Sequence, residues 1–467
     1  MKDQSESPCD PAPKQPENGP DNNEQRYDRG TKYYAYFAVI VLTIAHAIVL
    51  ASVHVFNILV EPIKIALSIS DLELSLLQGF AFGVFAAVIG VPMARIADRG
   101  WRRNVAVAGA ILWSVGTALC ALAATYWQMF FARALIGIGE VFFLPAAISL
   151  LAAIVPRKRI ALAMGIFISG SNIGSSFAWL GGGWLLANWP TMAKSIPFLS
   201  SVEGWRIGFL AFAVLGALAS ALLFAIREPI GEPVQQRLPL KAEWNRLKAL
   251  LKGSGRSVVG VLSATVTLAF GSVAVYMWLP SVFVRSFDLD YAAVGQLLGF
   301  SFLFFCTTGA WIAGVAADRL RARGRDNAPL LILAVASTCC SLALLLIASS
   351  TSLTPLTIVA LGVAFAFSAM TGVMGPLALT DVTAGEIRSQ ALAWQYFLIY
   401  LIPVGLAPSA VALITRYVFR DELFVDWSIA TVYAITTLVT LAIVFWCQKD
   451  YVKRYRFFVK QNESIVL

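Results

Sequence analysis

Between residues 34 and 447, long apolar runs alternate with short polar breaks. Twelve of the runs have the length of a bilayer-crossing helix, for which about twenty apolar residues suffice. The first six cover 34–59, 72–94, 104–125, 127–155, 160–187 and 205–226; the second six cover 257–284, 291–316, 329–349, 353–379, 389–415 and 427–447. Between the two sets, residues 227–256 are polar and charged, with Pro229, Pro233, Pro239 and a Gly253-Ser254-Gly255 tract. They read as a linker with a short amphipathic helix through 240–251. The pattern predicts an all-α membrane protein: twelve transmembrane helices in two six-helix bundles, 32–226 and 257–447. Residues 1–31, rich in Pro, Asn, Asp, Glu and Ser, read as a disordered cytoplasmic tail, and 448–467 as a basic one.

Composition points the same way: 58% of the 467 residues are hydrophobic, 13% are charged, and mean hydropathy is +0.73, outside the range of soluble domains. The net charge of +9 would suit nucleic acid, but the basic residues sit in short runs between apolar segments, as the positive-inside rule produces. Arg95, Arg99, Arg102 and Arg103 follow the second run, Arg157, Lys158 and Arg159 the fourth, and Arg319, Arg321, Arg323 and Arg325 the eighth. The linker and the final tail are basic too, and the alternate loops are poor in Lys and Arg. Both termini are therefore expected on the cytoplasmic face of an inner or plasma membrane, with a monomer as the working unit. The six cysteines show no metal-ligand or disulfide spacing. A hydrolase elbow, a zinc-binding HExxH, a P-loop and a dinucleotide fingerprint are all missing. Neither an enzyme nor a cofactor is expected, and work must be driven by a gradient or by the substrate itself.

The fourth run carries two ionisable residues, Arg133 and Glu140, seven apart and so within about 20° of one helix face. A charge facing lipid at mid-membrane costs about 3 kcal/mol or more, so the pair is expected to face a polar cavity. An ion pair that merely joins two helices is the alternative. The two histidines, His46 and His54, both lie in the first run. An imidazole, with a pKa of about 6.5, can exchange a proton in the working range, which makes His54 a candidate partner for Glu140. A hydrogen-bonded core imidazole is the other reading for each. Tyr276, Trp278, Trp394, Tyr396 and Tyr400 are candidate cavity-lining aromatics.

The two halves repeat. The second run ends in Ala94-Arg-Ile-Ala-Asp98-Arg99-Gly-Trp-Arg102-Arg103, and the eighth in Gly314-Val-Ala-Ala-Asp318-Arg319-Leu-Arg321-Ala-Arg323. An acid at a helix end beside several arginines forms a charge network able to hold two bundles together on one side. Both junctions resemble the signature of the major facilitator superfamily, which implies a twelve-helix secondary transporter, and in which this network stabilises the closed cytoplasmic gate. Asp98, Arg99, Arg102, Arg103, Asp318 and Arg319 are the gate residues that the resemblance implies here. Within that superfamily, Arg133-Ala-Leu-Ile-Gly137-Ile-Gly139-Glu140, Met277-Trp278-Leu279-Pro280 with Arg285, Gly375-Pro376-Leu377-Ala378-Leu379, and Arg388 with Gln390-Ala391 look like the spinster-like group of lipid and lysolipid transporters. That resemblance places substrate binding and proton coupling at Arg133 and Glu140. The chain departs from the group in its first helix, where Val53-His54 stands in place of the usual Asp-Arg pair. The expectation is a proton-linked carrier of a lysolipid-like amphiphile or anion, with an organic-anion symporter or an uncoupled facilitator as alternatives. A receptor or scaffold would predict broken gate clusters or a large appended soluble domain, and neither is seen.

Overall fold

The structure, a computed structural model, describes residues 29–97, 101–156, 159–195, 200–227, 240–384 and 387–466. The tail before Arg29, Asp98, Arg99 and the three linker prolines lie outside the described residues. No strand occurs among the described residues, and the apolar runs form twelve helices. In the first half these are α1 (Arg29–Leu67), α2 (Asp71–Ser75, Leu76–Phe80 and Ala81–Ala97), α3 (Arg102–Leu122), α4 (Tyr126–Ile154), α5 (Ile160–Lys194) and α6 (Gly204–Phe224). In the second half they are α7 (Leu240–Arg285), α8 (Tyr291–Ser301, Phe302–Cys306 and Thr307–Ala322), α9 (Ala328–Ala348) and α10 (Pro355–Asp381). α11 (Arg388–Ile399, Tyr400–Val404, Gly405–Ile414 and Thr415–Phe419) and α12 (Val425–Val466) complete the fold.

Several helices outrun their apolar stretches. α1 continues through Glu61 and Lys64 to Leu67, because nothing in that segment breaks a helix once Pro62 is tolerated within it. The linker helix that starts at Leu240 runs on into α7, broken only at Gly255, whose φ of 51° is open to glycine and disfavoured for other residues. The interior segments of α2 and α8 and two segments of α11 are π-helical, a feature that hydropathy does not reveal.

The apolar core explains the shape. One cluster runs from the first half, with Phe56, Trp113 and Phe143, into the second, with Trp278, Phe365 and Tyr433. All its second-half members lie toward the end away from the linker, here called the far end. At the linker end the second half keeps a separate core around Val258, Leu333, Met374 and Tyr451. Backbone contact between the halves follows the same gradient. α2 meets α11 and α5 meets α8, closely enough that a methyl group on Gly83 would lie 2.6 Å from the Tyr400 carbonyl oxygen, and one on Gly295 2.4 Å from that of Trp179. Toward the linker end the helices diverge. A methyl on Gly90 of α2 would first meet Val141 of its own half, and one on Gly165 of α5 or Gly314 of α8 would meet nothing within 4 Å.

Candidate functional site

Arg133 and Glu140 sit on α4 at middle depth, 1% and 5% exposed. What holds Arg133 is the π-helical turn of α2. There the Ala81 amide reaches back to Leu76 O, which leaves the Leu77 carbonyl without its usual intrahelical donor. Arg133 Nε donates to Leu77 O at 3.2 Å and Nη2 to Gln78 O at 3.3 Å. Its guanidinium carbon lies 4.3 Å from the Phe56 ring centroid and 5.4 Å from that of Phe82, while Nη1 has no hydrogen-bond partner. Two carbonyls and two ring faces thus stabilise a cation without a counter-charge.

Glu140 looks the other way. Its Oε1 accepts a 2.8 Å hydrogen bond from Tyr400 Oη, and Oε2 has no partner. Tyr400 opens the π-helical turn of α11, so this bond crosses from one half to the other. Arg133 and Glu140 are not an ion pair; no acidic oxygen lies within 4 Å of the guanidinium among the described residues. His54, half-buried on α1, faces Trp179 edge-on at 5.9 Å and Phe302 of α8 at 6.4 Å, with Nδ1 unpartnered. His46 is a core residue: Nδ1 lies 3.0 Å from Phe167 O and the rings stack at 4.4 Å.

The candidate aromatics divide. Tyr400 and Tyr276 lie where the halves meet, and the Tyr276 hydroxyl is 2.8 Å from Ser368 Oγ while its ring stacks on Phe365. Trp278 is fully buried and donates to Pro408 O at 3.0 Å, a contact inside the second half. Tyr396 is 52% exposed, and half-buried Trp394 packs edge-on against Phe397, both nearer the linker end.

Two groups of residues join the halves, and of their members the sequence marks only Arg285, as part of a family resemblance and with no role at the site. The first is a pair of amides. Pro280 has no N–H, so the Tyr276 carbonyl one turn earlier loses its helical donor. Asn57 Nδ2 of α1 donates to that carbonyl at 3.3 Å, and Gln78 Nε2 of α2 donates to Met277 O at 2.9 Å. The second is a charge cluster at the far end. Arg285 grips Asp71 through both terminal nitrogens, at 2.7 and 2.8 Å, and Glu61 through Nε at 2.8 Å. Lys64 bonds Asp71 at 2.8 Å and also pairs with Glu422. Three turns deliver these groups, and each holds a non-glycine residue at positive φ: Ser68, Asp288 and Arg420. Acids at the edges of apolar runs were the available signal, since Glu61 and Asp71 flank the break between the first two.

The linker end differs. Arg102 is buried at the start of α3, and Arg103 donates to Ile226 O at 3.5 Å. Asp318 and Arg319 are exposed, and Asp318 has no ion pair among the described residues. Two other acids are engaged in that half, and the more buried is Asp381, which takes Arg321 at 2.5 Å and also the Tyr451 hydroxyl. Arg456 pairs with Asp326 at 2.5 Å. These ion pairs stay within the second half. No cluster of three or more potential metal ligands occurs among the described residues.

Residues 42–408 match the family model described as Major Facilitator Superfamily. An "MFS-type efflux pump" of Mycolicibacterium smegmatis is 28% identical over 306 residues, 63% of this chain and 65% of that protein. A "probable L-galactonate transporter" of Escherichia coli is 25% identical over 264 residues, 52% of this chain and 53% of that protein. The chain thus spans less than two thirds of the length of these two relatives. Among solved structures, a bacterial homolog of the human lysosomal transporter Spinster, inward-facing and unoccupied, superposes with a TM-score of 0.71 at 22% identity, covering 91% of this chain and 98% of that one. At that identity the likeness carries the fold alone.

Proposed function

The chain belongs to the Major Facilitator Superfamily, a multi-pass membrane transporter rather than an enzyme, and on that premise we propose that it is a proton-linked carrier of an amphiphilic or anionic small molecule. One observation carries the reading most: Glu140, a buried carboxyl with one oxygen unpartnered, is bonded through the other to Tyr400 of the opposite half. A charge-assisted bond of this kind is roughly twice as strong as a neutral one, so adding a proton to Glu140 loosens a tie between the halves. Arg133 keeps Nη1 free for the anionic or zwitterionic group of a substrate. Proton and substrate would therefore act on neighbouring groups of one helix, and each would alter how firmly the halves hold together. His54, on α1 next to Val53, which stands where the related group is expected to have its acid, is the second candidate for proton exchange.

The halves, taken as 32–226 and 257–447, would rock about the seams at α2/α11 and α5/α8 as a monomer. By the distribution of Lys and Arg, the linker end is cytoplasmic and the state described is closed outward. Asp98, Arg99, Arg102 and Arg103, with Asp318 and Arg319, would close the cytoplasmic side in the opposite state. A lysolipid-like substrate suits the lone arginine at middle depth among the described residues, Arg133, and its aromatic surroundings. A small organic acid is the second reading, favoured by the galactonate relative.

Proteoliposome uptake of a lysophospholipid and of a sugar acid, with and without an imposed pH gradient, tests the proposal. Glu140→Gln is expected to abolish acceleration by the gradient while leaving exchange of substrate for substrate. Undiminished uptake that still follows the gradient would sink the coupling role.

A further inference from the structure

Gln78 stands at a junction between the buried arginine and the contact of the two halves. Its backbone carbonyl accepts from Arg133 Nη2 at 3.3 Å, and the carbonyl before it, Leu77 O, accepts from Arg133 Nε at 3.2 Å. Its side-chain amide, fully buried, donates to Met277 O of α7 at 2.9 Å. The residue lies inside the π-helical turn Leu76–Phe80, where the α-helical hydrogen-bond pattern of α2 is interrupted. Neighbouring Gly79 packs so closely on α11 that an added methyl would lie 2.5 Å from Val404 O. A shift of this turn therefore cannot occur without disturbing the contact between the halves.

We infer that Gln78 is a positioning residue: Arg133, by gripping the π-helical turn of α2, aims the Gln78 amide at Met277 O and so holds the far end closed, and whatever draws Arg133 off the turn releases that hold. An anionic group bound at Nη1 competes with Leu77 O and Gln78 O for the same cation. The turn then loses its two external donors, the amide loses its aim, and the seam at α7 weakens. Asn57 serves as the internal comparison. It makes a parallel bond across the same seam, to Tyr276 O at 3.3 Å, but from α1, and the carbonyls that Arg133 grips are those of Leu77 and Gln78 on α2. The inference deepens the transport reading above and rests on it only in treating the closed far end as one of two working states.

The test is a distance measurement on the full chain in proteoliposomes, with nitroxides at Ser201 and Ser352, exposed far-end positions on opposite halves. It is made without substrate and without a pH gradient, so the outcome for Glu140→Gln leaves it untouched. Gln78→Leu is expected to raise the population with the long far-end distance about fivefold, the shift produced by loss of one net hydrogen bond. Arg133→Met should do the same, and the double variant should go no further than the stronger single one. Asn57→Leu should also lengthen the distance, but its effect should add to that of Arg133→Met. An unchanged distribution in Gln78→Leu, or full additivity between Gln78→Leu and Arg133→Met, overturns the inference. If Arg133→Met does not insert, Arg133→Lys replaces it: a single ammonium keeps the charge but cannot span both carbonyls, so it must shift the distance in the same direction for the inference to stand.

Discussion

Arg285 shows at the scale of one residue how strongly the far end is fastened. Its side chain is 8% exposed and serves two carboxylates, Asp71 and Glu61, that are 10% and 14% exposed. Removing one partner from such a cluster leaves uncompensated charge and costs about 3 kcal/mol. Arg285→Gln is accordingly expected to lower the melting temperature of the purified protein. Adding Asp71→Asn should restore part of the loss, and additive losses would show that the cluster does not act as a unit. Arg133 and Glu140 were legible in the sequence because an ionisable group in an apolar helix is costly enough to need a reason. Gln78 and Asn57 were not, because a neutral amide carries a smaller cost. Their partners, moreover, are backbone carbonyls: Pro280 releases that of Tyr276, and the π-helical turn of α2 carries Gln78 to that of Met277.

The twelve elements were legible from run length, and their ends were not. Hydropathy marks where the lipid stops, whereas a helix stops where its backbone loses partners; hence α1 reaches Leu67 and α12 reaches Val466. The π-helical turns in α2 and α11 escaped notice for a similar reason, since an inserted residue leaves apolar spacing nearly intact and only helix contacts betray it. Gly83 sets the approach of those two helices. Gly83→Val would push side-chain atoms into the Tyr400 carbonyl, an overpacking that typically costs about 1–3 kcal/mol. Normal insertion with uptake reduced at least tenfold, measured in proteoliposomes, is the expected result. Unimpaired uptake would mean that this contact is not part of the working cycle.

At the scale of the whole molecule the two halves share a core at one end and keep separate cores at the other. A ligand that binds only the folded protein raises its melting temperature. Lysophospholipid is expected to do so in the wild type and to lose the effect in Arg133→Met; a sugar acid that does so instead would select the small-anion reading. α12 has a separate consequence. Its 42 residues make a rod of about 63 Å, roughly twice the thickness of the hydrocarbon layer. Bonds from Arg454 to Val382 O and from Arg456 to Asp326, together with the Tyr451 contact to Asp381, brace its outer length to the same half. A rigid body spliced in helical register beyond Tyr455 would turn with that half like the pointer of a dial, making its rotation visible from outside the bilayer.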